Sequence, residues 1–246
     1  MDSSAKTIAP AETAAITTER WYREYYARVG ADRDNLLRNP EVLFQSLAHD
    51  ASVLLALRSI QPDPGTARVL DVGCASGGSL LPFMRLDFNS ANLFGVDIRE
   101  DEIVQGKMRY PTVQFQQGDA HYLKFSSNSF DIVFESTMFI HMTNEESSMR
   151  VATEMLRVTK PNGHLLLADW RYPKPWNSRD YKPLSQKRIS KLFGVGRLSI
   201  VRGVFAGRLV PPVGRFLSKN LPPAYFLVRS LFPFLVGQVT TVLQKL

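Results

Sequence analysis

The segment Val69-Leu70-Asp71-Val72-Gly73-Cys74-Ala75-Ser76-Gly77-Gly78-Ser79-Leu80 decides how this chain is read. A short apolar strand closes on an acid, and a loop of small residues then runs into a helix. Gly73 and Gly77 admit backbone conformations closed to other residues, and they let a ligand approach the main chain. A dinucleotide-binding turn has the spacing Gly-x-Gly-x-x-Gly, whose middle glycine is Ala75 here. Alanine is small enough for close approach, so a nicotinamide dinucleotide is a weaker match without being excluded.

Outward from this turn the sequence alternates. Strands are expected at 68–72, 93–97, 113–117 and 130–135, and helices at 77–85, 99–108 and 145–159. Pro161-Asn162-Gly163 is expected to turn into a strand over 164–169. Short apolar strands separated by helices imply an α/β protein, a parallel sheet covered on both faces. Upstream, residues 1–16 read as a mobile tail. A helix over 19–29 carries Trp21, Tyr22, Tyr25 and Tyr26, with Gly30 as its stop. A second starts at Asn39-Pro40-Glu41, an N-cap with proline at the first helical position, and runs to about Ile60. Downstream come a helix over 184–193, a strand over 198–204, a proline-punctuated stretch over 207–234 and a last strand over 238–244.

The 246 residues suit one domain, 17–246, with N-terminal helices over 17–62, a core over 67–172 and a basic portion over 173–246. With 44% hydrophobic and 22% charged residues, disordered and collagen-like classes are excluded. The formal charge of +7 is uneven. Residues 1–172 hold 17 basic and 22 acidic side chains, whereas 173–246 hold 13 basic ones and Asp180 as their one acid. An anionic partner is therefore expected to meet the last third. With Cys74 as the one cysteine, neither an intramolecular disulfide nor a Cys-rich metal site can form. The first twenty residues lack a signal-peptide pattern, and the apolar run 221–237 is broken by Arg229 and prolines. A cytoplasmic protein, with peripheral contact at a membrane, is expected.

Asp71, Asp97, Asp119, Glu135 and Asp169 all fall at strand ends along one edge. Ligands of open α/β sheets bind outside the carboxyl ends of the strands. Asp97, at the end of the second strand, suits the two hydroxyls of an adenosine ribose. Asp119 suits the exocyclic amine of adenine.

Taken in order, Asp71-x-Gly73-x-Ala75-x-Gly77, Asp97, Gly118-Asp119, Phe130-Asp-Ile-Val133 and Leu156-Arg-Val-Thr-Lys-Pro-Asn-Gly163 resemble the class I S-adenosylmethionine-dependent methyltransferases, of the type 11-like group. The resemblance implies a Rossmann-like, seven-stranded, mostly parallel sheet whose antiparallel last strand lies beside the fifth. It implies S-adenosyl-L-methionine as cofactor. Gly73, Cys74, Ala75, Ser76 and Gly77 would meet its methionine part, Asp97 with Ile98 its ribose, and Asp119 with Ala120 its adenine. Asp71, Glu135 and Ser136 complete the expected cofactor set. In this family the helices before the first strand often lid the cofactor, which gives Tyr25 or Tyr26 a route to the pocket.

Methyl transfer needs a base when the acceptor is a hydroxyl. His141, six residues beyond Glu135, and Asp169 are the candidates. The Asn/Asp-Pro-Pro-aromatic run common to methyltransferases of nucleobase or glutamine nitrogen is replaced by Glu135-Ser-Thr-Met138. His49, His121 and His164 show no metal-ligand spacing, so no metal is expected.

The stretch 207–234 has four basic residues, no acid and many large apolar side chains. It reads as a lid over an amphipathic acceptor, as an interfacial membrane contact, or as a packed cap. Together with Arg38-Asn-Pro-Glu-Val-Leu-Phe-Gln45, this tail also resembles bacterial methyltransferases found with polysaccharide biosynthesis enzymes. That resemblance implies a small-molecule or glycan hydroxyl, anionic or lipid-linked, as acceptor. An RNA methyltransferase using the basic third, and a non-catalytic adaptor of the same fold at a membrane, stand as alternatives. The oligomeric state is not readable.

Overall fold

A computed structural model describes residues 20–173, 181–194 and 199–246, apart from 22, 23, 26, 29, 31, 33 and 34. The expected tail over 1–16 lies outside the described residues, as do Tyr22 and Tyr26. The described residues between 20 and 28 are helical, and Gly30 follows with a φ of 88°. Helix α1 spans Pro40–Ile60, with Asn39 accepting from the Glu41 N–H as its cap and Gln61 left-handed at its end.

The alternation then unfolds as β1 (Val69–Val72), α2 (Leu81–Arg85), β2 (Leu93–Asp97), α3 (Glu100–Arg109), β3 (Gln114–Gln117), β4 (Phe130–Ser136), α4 (Glu145–Val158) and β5 (Thr159–Trp170). The basic portion supplies α5 (Gln186–Phe193), β6 (Ser199–Ala206), α6 (Pro211–Asn220), α7 (Ala224–Leu231) and β7 (Gln238–Lys245). The sheet order is β3-β2-β1-β4-β5-β7-β6, and β7 is antiparallel to both its neighbours. This is the expected seven-stranded sheet, with its last strand inserted beside the fifth.

Two local features have physical causes. Pro161-Asn162-Gly163 does not precede the fifth strand but lies inside it: Thr159 pairs with Phe130 and His164 with Ile132, so the intervening residues bulge out. Asn162 takes a left-handed φ of 62° to make that bulge. The proline-punctuated stretch 207–234 holds two helices, because Pro211 and Pro223 sit at helix starts, where no N–H is needed.

Strand residues alternate between two cores. Leu70, Val133, Leu165 and Leu243 pack with Met155 of α4 and Phe193 of α5. Val69, Ile132, Leu166 and Val242 pack with Leu57 of α1, Phe83 of α2 and Ile103 of α3. A third cluster, with Leu217 and Tyr225 buried against Ala48, fastens α6 and α7 to α1. With both faces covered, the carboxyl edge of the strands remains for a site.

Candidate active site

The turn after β1 folds back on β2. The N–H groups of Gly73 and Cys74 donate to the Val96 carbonyl at 2.8 and 3.1 Å, and the Ala75 N–H donates to Asp97 Oδ2 at 2.8 Å. Gly73 and Gly77 have φ of 74° and 84°, and Ala75 is left-handed at 44°. A Cβ on Gly77 would stand 2.4 Å from Phe115 Cζ of β3, so only hydrogen fits. The Cys74 side chain is buried under the turn, and burial pushes its thiol pKa up, which keeps it protonated and inert.

All five acids at the edge are buried or half-buried. Asp71 is fully buried, with Oδ2 accepting from Ser79 Oγ and Oδ1 lacking a partner. Glu135 is fully buried, with Oε2 accepting from the Met138 N–H at 3.0 Å and Oε1 lacking a partner. Asp97 accepts from the Ala75 and Arg99 N–H groups, one per oxygen. Asp169 is buried and accepts from the Ile140 and Trp170 N–H groups at 2.8 and 2.6 Å, so its carboxylate anchors the loop after β4. The fifth acid, Asp119, accepts from both the N–H and the Nδ1 of His121 at its Oδ1, and the other ring nitrogen lies 2.5 Å from Ser147 Oγ.

Desolvation pushes the Asp71 pKa up to about 7, and the nearby Asp97 adds to the rise. Desolvation, then the charge of Asp169, raises Glu135. Desolvation also raises Asp169 to about 7. Three buried acids with two unpartnered oxygens are a site short of positive charge. S-adenosylmethionine, which carries an ammonium and a sulfonium, fits that deficit.

The sign of the pH dependence follows. A buried acid whose pKa is raised holds its proton longer when folded, so its contribution to stability falls as pH rises from the ordinary carboxylate range to about 7. A cationic ligand favours the ionised form, so its binding releases protons. S-adenosylhomocysteine, which keeps the ammonium, is therefore expected to bind several-fold more tightly at about pH 8 than at about pH 6. Calorimetry in buffers of different ionisation enthalpy will show proton release, and Asp71→Asn will flatten the profile. A pH-independent affinity counts against this pairing.

Beyond β4, a single helical turn, Phe139–His141, puts His141 at the surface. Its ring meets Trp21 edge-on at 5.2 Å and Tyr181 at 5.2 Å, and Trp21 stacks on Tyr25. The N-terminal helix thus reaches over this loop, with Tyr25 stacked on Trp21 beside His141. Arg188 of α5, 6% exposed, holds the loop from below: it donates to the carbonyls of Phe139, Met142 and Lys182 and to Ser148 Oγ.

Gly73 to Gly77, Asp71, Asp97, Ile98, Glu135 and Ser136 share the edges of β1, β2 and β4, while Asp119 and Ala120 follow β3. Three residues at the site had no expected part in it. His121 fixes Asp119, and its place two residues after that acid is the one available signal. His49 of α1 is buried, with Nε2 3.4 Å from Ser136 Oγ; desolvation lowers its pKa to about 3, keeping it neutral. Arg188 is the third.

Residues 69–163 match a family described as a methyltransferase domain. The match, the sheet order and the acids along the carboxyl edge agree with the resemblance of this segment to class I S-adenosylmethionine-dependent methyltransferases. The demethylmenaquinone methyltransferase of Renibacterium salmoninarum is 34% identical over 119 residues, 48% of this chain and 47% of that one. The phthiotriol/phenolphthiotriol dimycocerosates methyltransferase of Mycobacterium tuberculosis is 28% identical over 174 residues, 65% of this chain and 62% of that one. The chain thus spans about half the length of the curated relatives it matches. The crystal structure of geranyl diphosphate C-methyltransferase from Streptomyces coelicolor, in complex with Mg2+, geranyl diphosphate and S-adenosyl-L-homocysteine, superposes with a TM-score of 0.57 at 14% identity, covering 79% of this chain and 77% of that one. At that identity the likeness speaks for the fold.

Proposed function

We propose that this chain transfers a methyl group from S-adenosylmethionine to a hydroxyl of an apolar or lipid-linked small molecule, lipid-linked glycans included. The observation that carries the cofactor assignment is the pair of buried, unpartnered carboxylate oxygens, Asp71 Oδ1 and Glu135 Oε1, beside the turn whose Gly77 admits no side chain. The cofactor, when bound, supplies a methyl group on a sulfonium for in-line displacement. Asp71 and Glu135 would hold its ammonium, Asp97 would take the ribose hydroxyls, and Asp119 would take the adenine amine through the oxygen that His121 leaves open. His141 would receive the acceptor's proton, and Asp169, accepting from the Ile140 N–H, positions the loop that carries it. Much of the acceleration then comes from alignment, which supplies roughly 7–11 kcal/mol in well-oriented reactions. The aromatic side chains of Trp21, Tyr25 and Tyr181 around His141 suit an apolar acceptor, and the acceptors in two relatives' names, demethylmenaquinone and phthiotriol dimycocerosates, support the same class.

Calorimetry with S-adenosylmethionine and S-adenosylhomocysteine tests the cofactor assignment. Asp97→Ala is expected to weaken both by at least about tenfold, the minimum for losing one charge-assisted hydrogen bond. Absent heat from either ligand, or parent-like affinity in Asp97→Ala, ends the reading. Labelled methyl transfer into a fractionated host extract tests the acceptor: label is expected in the lipid fraction, and label in RNA replaces the acceptor class.

A further inference from the structure

Between β6 and β7 the chain forms a helical hairpin that the reaction does not use. A bridge between Leu209 and Val236 closes its base, and Leu217 and Tyr225 bury its inner side against α1. Its outer side is apolar and open to water. Phe216 is 62% exposed, Leu227 59%, Leu231 63% and Phe234 66%. Leu227 and Leu231 lie four apart and so form one stripe of α7. The stripe continues past the helix end into Phe232 and Phe234, whose rings meet at 6.0 Å. At the other end of the hairpin, Ser218 Oγ donates to the Pro40 carbonyl, which brings the turn before α1 alongside. Leu37 in that turn is 97% exposed. Apolar surface of this extent marks an interaction site.

The charge around it selects the partner. Residues 207–234 contain four basic side chains and no acid. Glu41 of α1 lies 3.3 Å from Arg215 and 3.6 Å from Lys219, yet Lys219 stays half exposed. No described helix is long and apolar enough to cross a membrane. Large apolar side chains flanked by lysine and arginine on short helices are the pattern of a segment that lies in a bilayer surface.

We propose that the outer side of the α6–α7 hairpin docks on an anionic phospholipid bilayer, with Phe216, Leu227, Leu231 and Phe234 entering the acyl boundary and Arg215 and Lys219 at the headgroups. This deepens the reading of an apolar acceptor and rests on it for the purpose of docking. The placement fits: the hairpin joins β6 to β7 at the carboxyl edge, the edge that carries the site. Arg171, just past the end of β5, donates to the Val236 and Pro233 carbonyls at 2.7 and 2.6 Å and so fixes the hairpin's base to the strand that carries Asp169. An acceptor dissolved in the bilayer would then enter from the side on which the cofactor is held.

Co-sedimentation of the full chain with vesicles, without cofactor or acceptor, is the test. Binding is expected to mixed phosphatidylglycerol and phosphatidylcholine vesicles, to fall about tenfold on phosphatidylcholine alone, and to weaken as salt rises. The triple variant Phe216→Ser/Leu227→Ser/Leu231→Ser is expected to bind at least about a hundredfold more weakly. Its S-adenosylhomocysteine affinity should match the parent, which reports an intact fold. If it does not, the single variants Leu231→Ser and Phe234→Ser decide, each with an expected loss of about tenfold. Vesicle binding that is absent, or indifferent to these substitutions, overturns the docking while leaving the cofactor assignment standing. A concentration-dependent dimer dissolved by the same substitutions would give this face to a second copy and also overturns it. Failure of the parent chain to bind S-adenosylhomocysteine overturns the function alone.

Discussion

Replacing Arg188 with alanine is expected to lower stability by about 3–5 kcal/mol and to abolish methyl transfer in whatever remains folded. The guanidinium is almost fully buried and is the common donor to the carbonyls of Phe139 at 3.0 Å, Lys182 at 2.6 Å and Met142 at 2.7 Å, and to Ser148 Oγ at 2.8 Å. Alanine would strand those acceptors in a space that water fills poorly, and each stranded group costs about 1–3 kcal/mol. Phe139 and Met142 flank His141, so the same loss frees the loop that aims the proposed base. For a chain of this length the melting midpoint should fall by roughly ten degrees. Arg188→Lys keeps the charge but not the planar fork, and it should recover only part of the loss. The two effects separate experimentally: S-adenosylhomocysteine binding well below the midpoint is expected to persist while turnover is lost. A variant that melts early yet turns over normally when cold would confine Arg188 to stability.

Arg188 also shows where sequence reading stops. In the sequence it is one of 13 basic residues in the last third, inside a helix with an ordinary amphipathic pattern. Its partners are backbone carbonyls at residues 139, 142 and 182, which become neighbours only when α5 packs under the loop after β4. No local pattern encodes that meeting. By contrast, β1 to β5 are legible because each is a short apolar run between turn residues, and parallel strands buried on both faces must read that way. The row of acids is legible for the same reason, since each ends a strand. The place of β7 is not carried by its residues: Gln238 to Leu243 are buried whether the strand is parallel or antiparallel, and only the family resemblance implied its insertion beside β5. The hairpin's helices are not legible in the sequence because proline both breaks and begins helices, and Pro211 and Pro223 begin them. His49 gave no signal at all, being one polar residue on a helix whose burial depends on what α1 packs against.

Substituting valine for Gly77 is expected to remove cofactor binding altogether, a loss beyond a thousandfold, and two independent causes act together. Its φ of 84° is a conformation that a β-branched residue adopts only with strain of about 1–3 kcal/mol. Any Cβ there would also meet Phe115 Cζ at 2.4 Å and Cε1 at 2.9 Å. Phe115 cannot simply retreat. The ring is packed against Gly95 and Gly106 as well, where an added Cβ would stand 2.7 and 3.3 Å away, so three glycines form its socket. Relief must therefore come from the turn, which would pull away from β2 and break the Ala75 N–H to Asp97 bond that orients the proposed ribose acceptor. The double variant Gly77→Ala/Phe115→Ala separates the causes. Emptying the socket removes the collision but leaves the positive φ and opens a cavity that costs about 3–5 kcal/mol. If collision dominates, the double variant should bind S-adenosylhomocysteine better than Gly77→Ala alone, despite being the less stable protein. If backbone strain dominates, both will fail equally. Parent-like affinity in Gly77→Val would mean that the cofactor does not rest on this turn.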